Sequence, residues 1–332
     1  MLFMEEAEMR QKIRRVLAVT LIAVFLLSGC KLFKKDIPTV ISLTNAAITN
    51  MGKANSAEVK VNSSGDITAT YKVLNIGINM SLDTNINMEM TRNPERSKGT
   101  IDLSLGAVGQ EQSMNGEFYG EGSEDGTKTT YIRWKEGNWM KKTKAAQSDG
   151  SDASSSNSSS GPALIPNSLV QVIGLMKAIA DESITAELKE DTATVNDKEA
   201  YQISFMLSGD FLKQFMDAGG MSLGGLSESG DSIDWTIVEI PAELYIYKES
   251  QLPARITMDC TSIGTQIIEG QLEGYMQDLP IGDIALSVNK YDVDITIDRY
   301  DEIEAIEIPA EAKNAAESES LMPTMTDIVK FW

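Results

Sequence analysis

The chemistry open to this sequence is bounded first by what it lacks. No histidine occurs among its 332 residues, which removes Ser-His-Asp and Cys-His nucleophilic sites and any zinc site built on imidazole. The phosphate-cradling signatures GxxxxGK[ST] and GxGxxG are absent, as is CxxC, and the single GxSxG string, Gly220-Met221-Ser222-Leu223-Gly224, lies in a glycine-rich stretch of a chain with no histidine to serve as its base. Forty-nine Asp and Glu residues make carboxylate pairs inevitable, so a glycosidase-type pair has no distinctive spacing to rest on. Asp292, Asp294 and Asp298 alternate as on the wet face of a strand, without the central Gly and terminal Glu of a calcium loop. The sequence therefore gives no catalytic residue, no metal site and no cofactor, and it predicts a non-enzymatic protein. A net charge of −20 with a pI near 4.4 argues against nucleic-acid partners, which need clustered cations. Two thiols remain, Cys30 and Cys260.

Cys30 stands in a context that predicts covalent modification. Arg10, Lys12, Arg14 and Arg15 precede an apolar run from Val16 to Leu27, which ends in Leu27-Ser28-Gly29-Cys30. About twelve apolar residues make roughly 18 Å of helix, too short to span a hydrocarbon core of ~30 Å, so the run reads as an export signal. The tetrapeptide resembles the lipobox of bacterial lipoproteins, where small residues admit a peptidase and the cysteine thiol takes a diacylglyceryl group. It implies a signal peptide over 1–29, a lipidated tether over 30–36, and an extracytoplasmic, membrane-anchored location in the cell envelope, with palmitate-type acyl chains on Cys30. Removing the leader, with four cations and three anions, takes the net charge from −20 to −21. Setting aside Lys31, Lys34 and Lys35 leaves −24 on residues 36–332. Those three lysines flank Leu32 and Phe33 and suit anionic headgroups, each contributing about 1 kcal/mol. With Cys30 acylated, Cys260 has no disulfide partner and reads as a small core residue.

The elements that follow alternate between two periods. Helical spacing over 37–52 predicts a first helix, with Asp36 and Pro38 before it and Gly52 after it. From Ala57 the period becomes two, most clearly from Ile78 to Met90, which predicts a long strand wet on one face only. Further strands are predicted at 99–105, 113–119, 129–135 and 139–143. A Ser-rich flexible loop is expected at 148–161, and a second amphipathic helix at 168–181. Strands then resume at 185–188, 192–195 and 201–207, a short helix starts at Ser208-Gly209-Asp210, and a glycine-rich loop spans 219–230. The remaining strands are expected at 235–248, 254–261, 284–288 with 292–297, and 302–308. This is an α+β pattern, mostly antiparallel, and is read as one domain over 37–312 with a tail over 313–332.

Several segments carry a resemblance to a family of uncharacterised Gram-positive bacterial lipoproteins with the lipoprotein-carrier architecture of the LolA and LppX type. They are the lipobox; Tyr131-Ile132-Arg133-Trp134 followed by Gly137-Asn138-Trp139-Met140-Lys141-Lys142; residues 201–207 leading into Ser208-Gly209-Asp210; Tyr245-Ile246-Tyr247-Lys248 before Leu252-Pro253-Ala254-Arg255-Ile256; and the closing Tyr300-Asp301-Glu302-Ile303 and Ile306-Glu307-Ile308-Pro309. The resemblance implies a strongly curved antiparallel sheet, an open half-barrel, with helices packed on its concave face and a hollow that accepts acyl chains. The serine insert and the terminal Phe331-Trp332 depart from that pattern.

In such a hollow the lining would include Met80, Leu82, Met88, Met90, Ile173, Met176, Phe205, Leu207 and Met258. Seventeen methionines suit either an adaptable apolar pocket or an ordinary core, since thioether side chains fill irregular space in both. The expected partner is a lipid or other hydrophobic ligand. The alternative is a protein-interaction or sensory module whose core is filled. Trp134, Trp139, Lys141 and Lys142 form a basic-aromatic hairpin that suits a membrane surface, or is simply an exposed hairpin.

Overall fold

The alternation in the first half of the chain becomes a set of long antiparallel strands. The computed structural model describes residues 38–71, 76–123, 125–135, 137–144, 167–217, 233–266, 284–318 and 321. The leader with Cys30 and Lys31, Lys34 and Lys35, the Ser-rich loop, the glycine-rich loop and the terminal 325–332 segment lie outside the described residues. The chain divides into two compact units, Met1–Thr39 and Val40–Trp332, and every element below belongs to the second.

Helix α1 (Val40–Lys53) opens the unit. Leu43, Thr44, Ala47 and Met51 recur at three- and four-residue spacing and are buried. The buried Thr44 hydroxyl donates back to the Val40 carbonyl at 2.9 Å, which satisfies it without a tertiary partner. Strands β1 (Ser56–Tyr71), β2 (Ile76–Arg92), β3 (Glu95–Ala107), β4 (Gln110–Gly122), β5 (Lys128–Trp134) and β6 (Met140–Lys144) then form a meander. After helix α2 (Asn167–Ala180) come β7 (Ala186–Leu188), β8 (Ala193–Val195), β9 (Lys198–Ser208), helix α3 (Gly209–Asp217), β10 (Glu239–Tyr247), β11 (Pro253–Asp259) and β12 (Ile284–Asp298). Helix α4 (Ala310–Lys313) and β13 (Ala316–Glu317) follow.

Among the described residues the thirteen strands form one sheet, in the order β13-β6-β5-β4-β3-β2-β1-β12-β11-β10-β9-β7, with β8 paired to β9. The two halves of the chain are therefore joined through β1 and β12, antiparallel over almost their whole length. The sheet is open, with β13 and β7 at its two ends, and this unit is an α+β half-barrel with helices on its concave face.

Register assigns each side chain to a face. Val59 lies opposite Met88 on one side and Ile297 on the other, and Val61 lies opposite Ile86 and Ile295. These residues point inward with Ile256, Leu244 and Ile203 from the second half. Their side chains form one buried core with Leu43, Ala47 and Met51 of α1 and Val172, Leu175, Met176 and Ile179 of α2. Gly99 serves this packing directly. A Cβ there would stand 2.2 Å from the Asn87 carbonyl oxygen and 2.6 Å from Phe118 Cζ, so the bare backbone is what lets the buried Phe118 ring lie across β3.

Three expectations need correction. Residues 302–308 are not a strand. They run in extended form without a ladder; Ile306 and Ile308 are buried, while the Ile303 N–H donates to Ser56 Oγ at 3.1 Å and Arg96 donates to the Ile306 carbonyl at 2.9 Å. The apolar alternation is real, but side chains rather than a neighbouring strand satisfy this backbone. The predicted pair 284–288 and 292–297 is one strand, β12, bent by a register shift opposite Asp66 and Ile67. The segment expected as a strand from 235 begins instead as a 3₁₀ turn, Trp235–Ile237, because Asp234 caps it by accepting from the Thr236 N–H.

Candidate functional site

The nine residues expected to line a hollow fall into three groups. Met88, Met176, Phe205 and Leu207 are buried in the core. Met90, Ile173 and Met258 are half-buried against it. Only Met80 and Leu82 lie away from the helices, Met80 half-buried and Leu82 exposed. The space beneath α1 and α2 is filled by the protein's own side chains.

The uncovered part of the inner face is a consequence of length. Strand β2 has seventeen residues, roughly 56 Å at about 3.3 Å each. Each of α1 and α2 has fourteen, only about 21 Å at 1.5 Å each. Beyond Ile86, β2 and β3 run past α1 and α2, yet apolar residues continue at the inward positions; on β12 a helical turn at 261–266 packs against Val288 and Tyr291, and Val288 is buried. Ile76 is 52% exposed, Ile78 41%, Leu82 38% and Leu105 39%. Leu82 faces Leu105 directly across β2 and β3. Ile78 faces Ala69 and Ile76 faces Tyr71, while Met80 faces Ile67 on one side and Ala107 on the other. Directly opposed residues share a face, so these side chains form one apolar strip, and none of them is charged. The opposite face at the same level is polar. Thr68 Oγ1 donates to Asn79 Oδ1 at 3.0 Å and accepts from Asn289 Nδ2 at 2.8 Å. This end of the sheet thus has one polar and one apolar face, and both meet solvent among the described residues. The long strand is wet on one face only as far as Ile86, and on both faces beyond it.

The basic-aromatic hairpin is used internally. Trp134 is buried, and its Nε1–H donates to the Leu321 carbonyl at 2.8 Å. Its ring therefore faces the core rather than a headgroup layer, which corrects the reading of this residue as a membrane contact. Trp139 is half-buried, with its ring centroid 5.7 Å from that of Tyr119 and the Arg133 guanidinium 4.9 Å above it. Lys141 lies 3.9 Å from Glu317 of β13, and Lys142 is half-buried. The segment after Pro309 holds this edge, with Ala312 packed against Tyr131 and Leu321 buried in the main core.

A groove of ≈ 720 Å³ crosses β7 and β9 to β12, lined in part by Met206, Glu243, Arg255 and Asp294 and by two of the nine residues expected to line a hollow, Phe205 and Met258. No residue of α1 or α2 lines it. Its charges already have partners. Arg255 Nε donates to Asp294 Oδ1 at 2.9 Å, and Glu243 accepts from Gln202 at 2.9 Å and from the Tyr245 hydroxyl. Burial, followed by the bond to Glu243, pushes the Tyr245 hydroxyl up to about 12, as a structural donor requires. No three acidic or cysteine side chains gather as a metal site among the described residues. Cys260 is buried, and its thiol is pushed up to about 12 by burial and then by Asp259 and Asp292, so it remains the protonated thiol.

The sequence reading missed Ile76, Ile78 and Leu105 as site residues. The available signal was the length of the alternation compared with the length of any helix that could cover it.

No family model matches the chain, and no curated protein does. Among solved structures it is similar to a DUF1329 family protein from Desulfovibrio piger, at 8% identity over 79% of this chain and 93% of that one, with a TM-score of 0.19. It is also similar to a beta-barrel-like protein of domain of unknown function DUF1849 from Brucella abortus, at 8% identity over 73% and 98%, with a TM-score of 0.24. Among the described residues no helix is long and apolar enough to cross a membrane.

Proposed function

We propose that this chain is an extracytoplasmic lipoprotein, anchored through diacylglyceryl-Cys30, that binds or shields an acyl chain without catalysis on the uncovered end of its half-barrel. The observation that carries this reading is the uncharged strip of Ile76, Ile78, Leu82 and Leu105 on the same face as the core. From Ile76 to Leu82 it is about 20 Å long, and across β1 to β3 it is about 14 Å wide. An area of roughly 300 Å² lies at the lower edge of the range where exposed patches are commonly functional. Its complete burial would release on the order of 10 kcal/mol before association costs are subtracted.

The test is to purify the protein from a bacterial host, extract it with organic solvent and identify bound lipids by mass spectrometry, alongside uptake of a fluorescent fatty acid. Wild type is expected to bind and Leu82→Glu to lose binding while remaining folded. An empty protein with no uptake would refute the reading.

The filled core beneath α1 and α2 favours a second reading, in which the same strip docks a protein. Crosslinking in intact cells that captures one stoichiometric protein, with no lipid in the extract, would favour it.

A further inference from the structure

A second feature lies at the same end of the sheet and points to a contact with the bilayer itself. Strands β3 and β4 are joined by two residues, Val108 and Gly109, with Ala107 paired to Gln110. Both turn residues have positive φ, 53° and 75°, as in the type I′ hairpin turn. That turn favours Asn-Gly or Asp-Gly, because a β-branched side chain crowds the backbone when φ is positive. Eight non-glycine residues have positive φ among the described residues, and Val108 is the one β-branched residue in the set. It is also 76% exposed, more than any other exposed large hydrophobic among the described residues. One side chain therefore carries both a conformational and a solvation penalty that asparagine would relieve, and nothing in the fold gains from it.

Strain of this kind points from an observed outlier towards function. The Met80–Ala107 pairing sets the turn level with Asn79 and Ile78, so Val108 extends the strip of Leu105, Ile78 and Ile76. We infer that this hairpin tip inserts into a neutral or zwitterionic lipid surface, with Val108 at its apex beside Ile78 and Ile76 of the longer β2. The narrow tip is a two-residue turn, and the strip behind it carries no charge. The body's −24 opposes approach to anionic lipid, which leaves Lys31, Lys34 and Lys35 to meet any anionic headgroups. The inference rests on the proposal that the protein works at a membrane and adds a contact surface to it.

The experiment uses the full chain with Cys30→Ala, so that neither an acyl anchor nor a second reactive thiol contributes, and with Val108→Cys carrying an environment-sensitive fluorophore or, as the control site on the opposite face, Asn85→Cys. Cys260 is buried with a raised pKa and is expected not to label. With phosphatidylcholine vesicles the probe at 108 should shift to the blue, and spin-labelled lipid should quench it about threefold or more above the probe at 85. Val108→Asn should reduce vesicle binding while raising the folding equilibrium constant about fivefold. Equal quenching at 108 and 85, binding that requires anionic lipid, or a Val108→Asn variant that binds like wild type would each overturn the inference. Membrane fractionation of wild type against Cys30→Ala tests the anchor separately, so failure of the tip and failure of the anchor give different results.

Discussion

Met176 lies on α2 with no exposed surface, in the space where a ligand hollow was expected, and its truncation separates a filled core from a lined cavity. Replacing a buried methionine by alanine costs about 2–5 kcal/mol, the lost transfer energy plus a cavity that the surroundings close only partly. At about 2–4 °C per kcal/mol for a domain of this size, Met176→Ala should lower Tm by roughly 4–20 °C. Met176→Leu, which nearly conserves volume, should cost less than about 1.5 kcal/mol. Leu82→Ser, on the uncovered strip, should stay within about 1 kcal/mol of wild type. The ligand readout should behave in the opposite way, with fatty-acid uptake unaffected by Met176→Ala and lost in Leu82→Ser. Urea unfolding by circular dichroism and fluorescent fatty-acid titration on the same three variants supply both measurements. If Met176→Ala costs less than about 1 kcal/mol and alters uptake, the side chain lines a ligand space and the filled-core reading is wrong.

Gly99→Ala should destabilise by at least about 1–3 kcal/mol, and Phe118→Leu should not rescue it, because the closer clash at 2.2 Å is with the Asn87 carbonyl, a backbone atom; recovery in the double variant would show that only the ring mattered. Truncation after Ser318 leaves the Trp134 indole N–H without the Leu321 carbonyl and removes a buried leucine, so the unfolding midpoint should fall by about 2–5 kcal/mol equivalent; an unchanged midpoint would show that the strap is decorative. On the acid side, hydrogen bonding from Lys98 and then Arg299 holds the Glu89 carboxyl below its ordinary value. Its contribution is present above the ordinary carboxylate range and is lost as pH falls through the depressed folded value, so Glu89→Gln should flatten the acid arm of a stability–pH curve. On the alkaline side the Tyr245 hydroxyl, raised to about 12, contributes stability that is complete below about pH 10 and disappears towards pH 12; a flat profile across that interval in wild type would contradict the assignment.

Local period was enough to place α1, α2 and most strands, because each buries one face and the spacing of apolar residues records which one. Sheet order was not local information. That β1 pairs with β12, some 230 residues later, follows from matching apolar rows such as Val59 with Ile297, a complementarity no single segment displays. The extended run over 302–308 imitates a strand, since Ile306 and Ile308 alternate as strand residues do while their backbone is met by Ser56 and Arg96. Trp134 misled for a related reason. An aromatic beside lysines suits a headgroup layer as well as a core edge, and only the carbonyl of Leu321, 187 residues away, decides between them. The nine hollow-lining candidates were chosen by type and period, which identify the inner face but say nothing about which part of it is covered.

Coverage is set by the difference between element lengths, and this distinguishes the uncovered strip from ordinary exposed leucines. A sheet extension with no partner is expected to turn polar on both faces once it leaves the core, since solvent rewards nothing else there. Here Ile76, Ile78, Met80, Leu82 and Leu105 keep the inward period after the helices end, and Thr68, Asn79 and Asn289 keep the outward one. Two polar faces would have served solubility better, and asparagine at 108 would have served the turn better. The same end of the molecule departs from its stability optimum twice, by two unrelated criteria. The two occupants proposed above, an acyl chain along the strip and a lipid surface at the tip, would each relieve one of these departures.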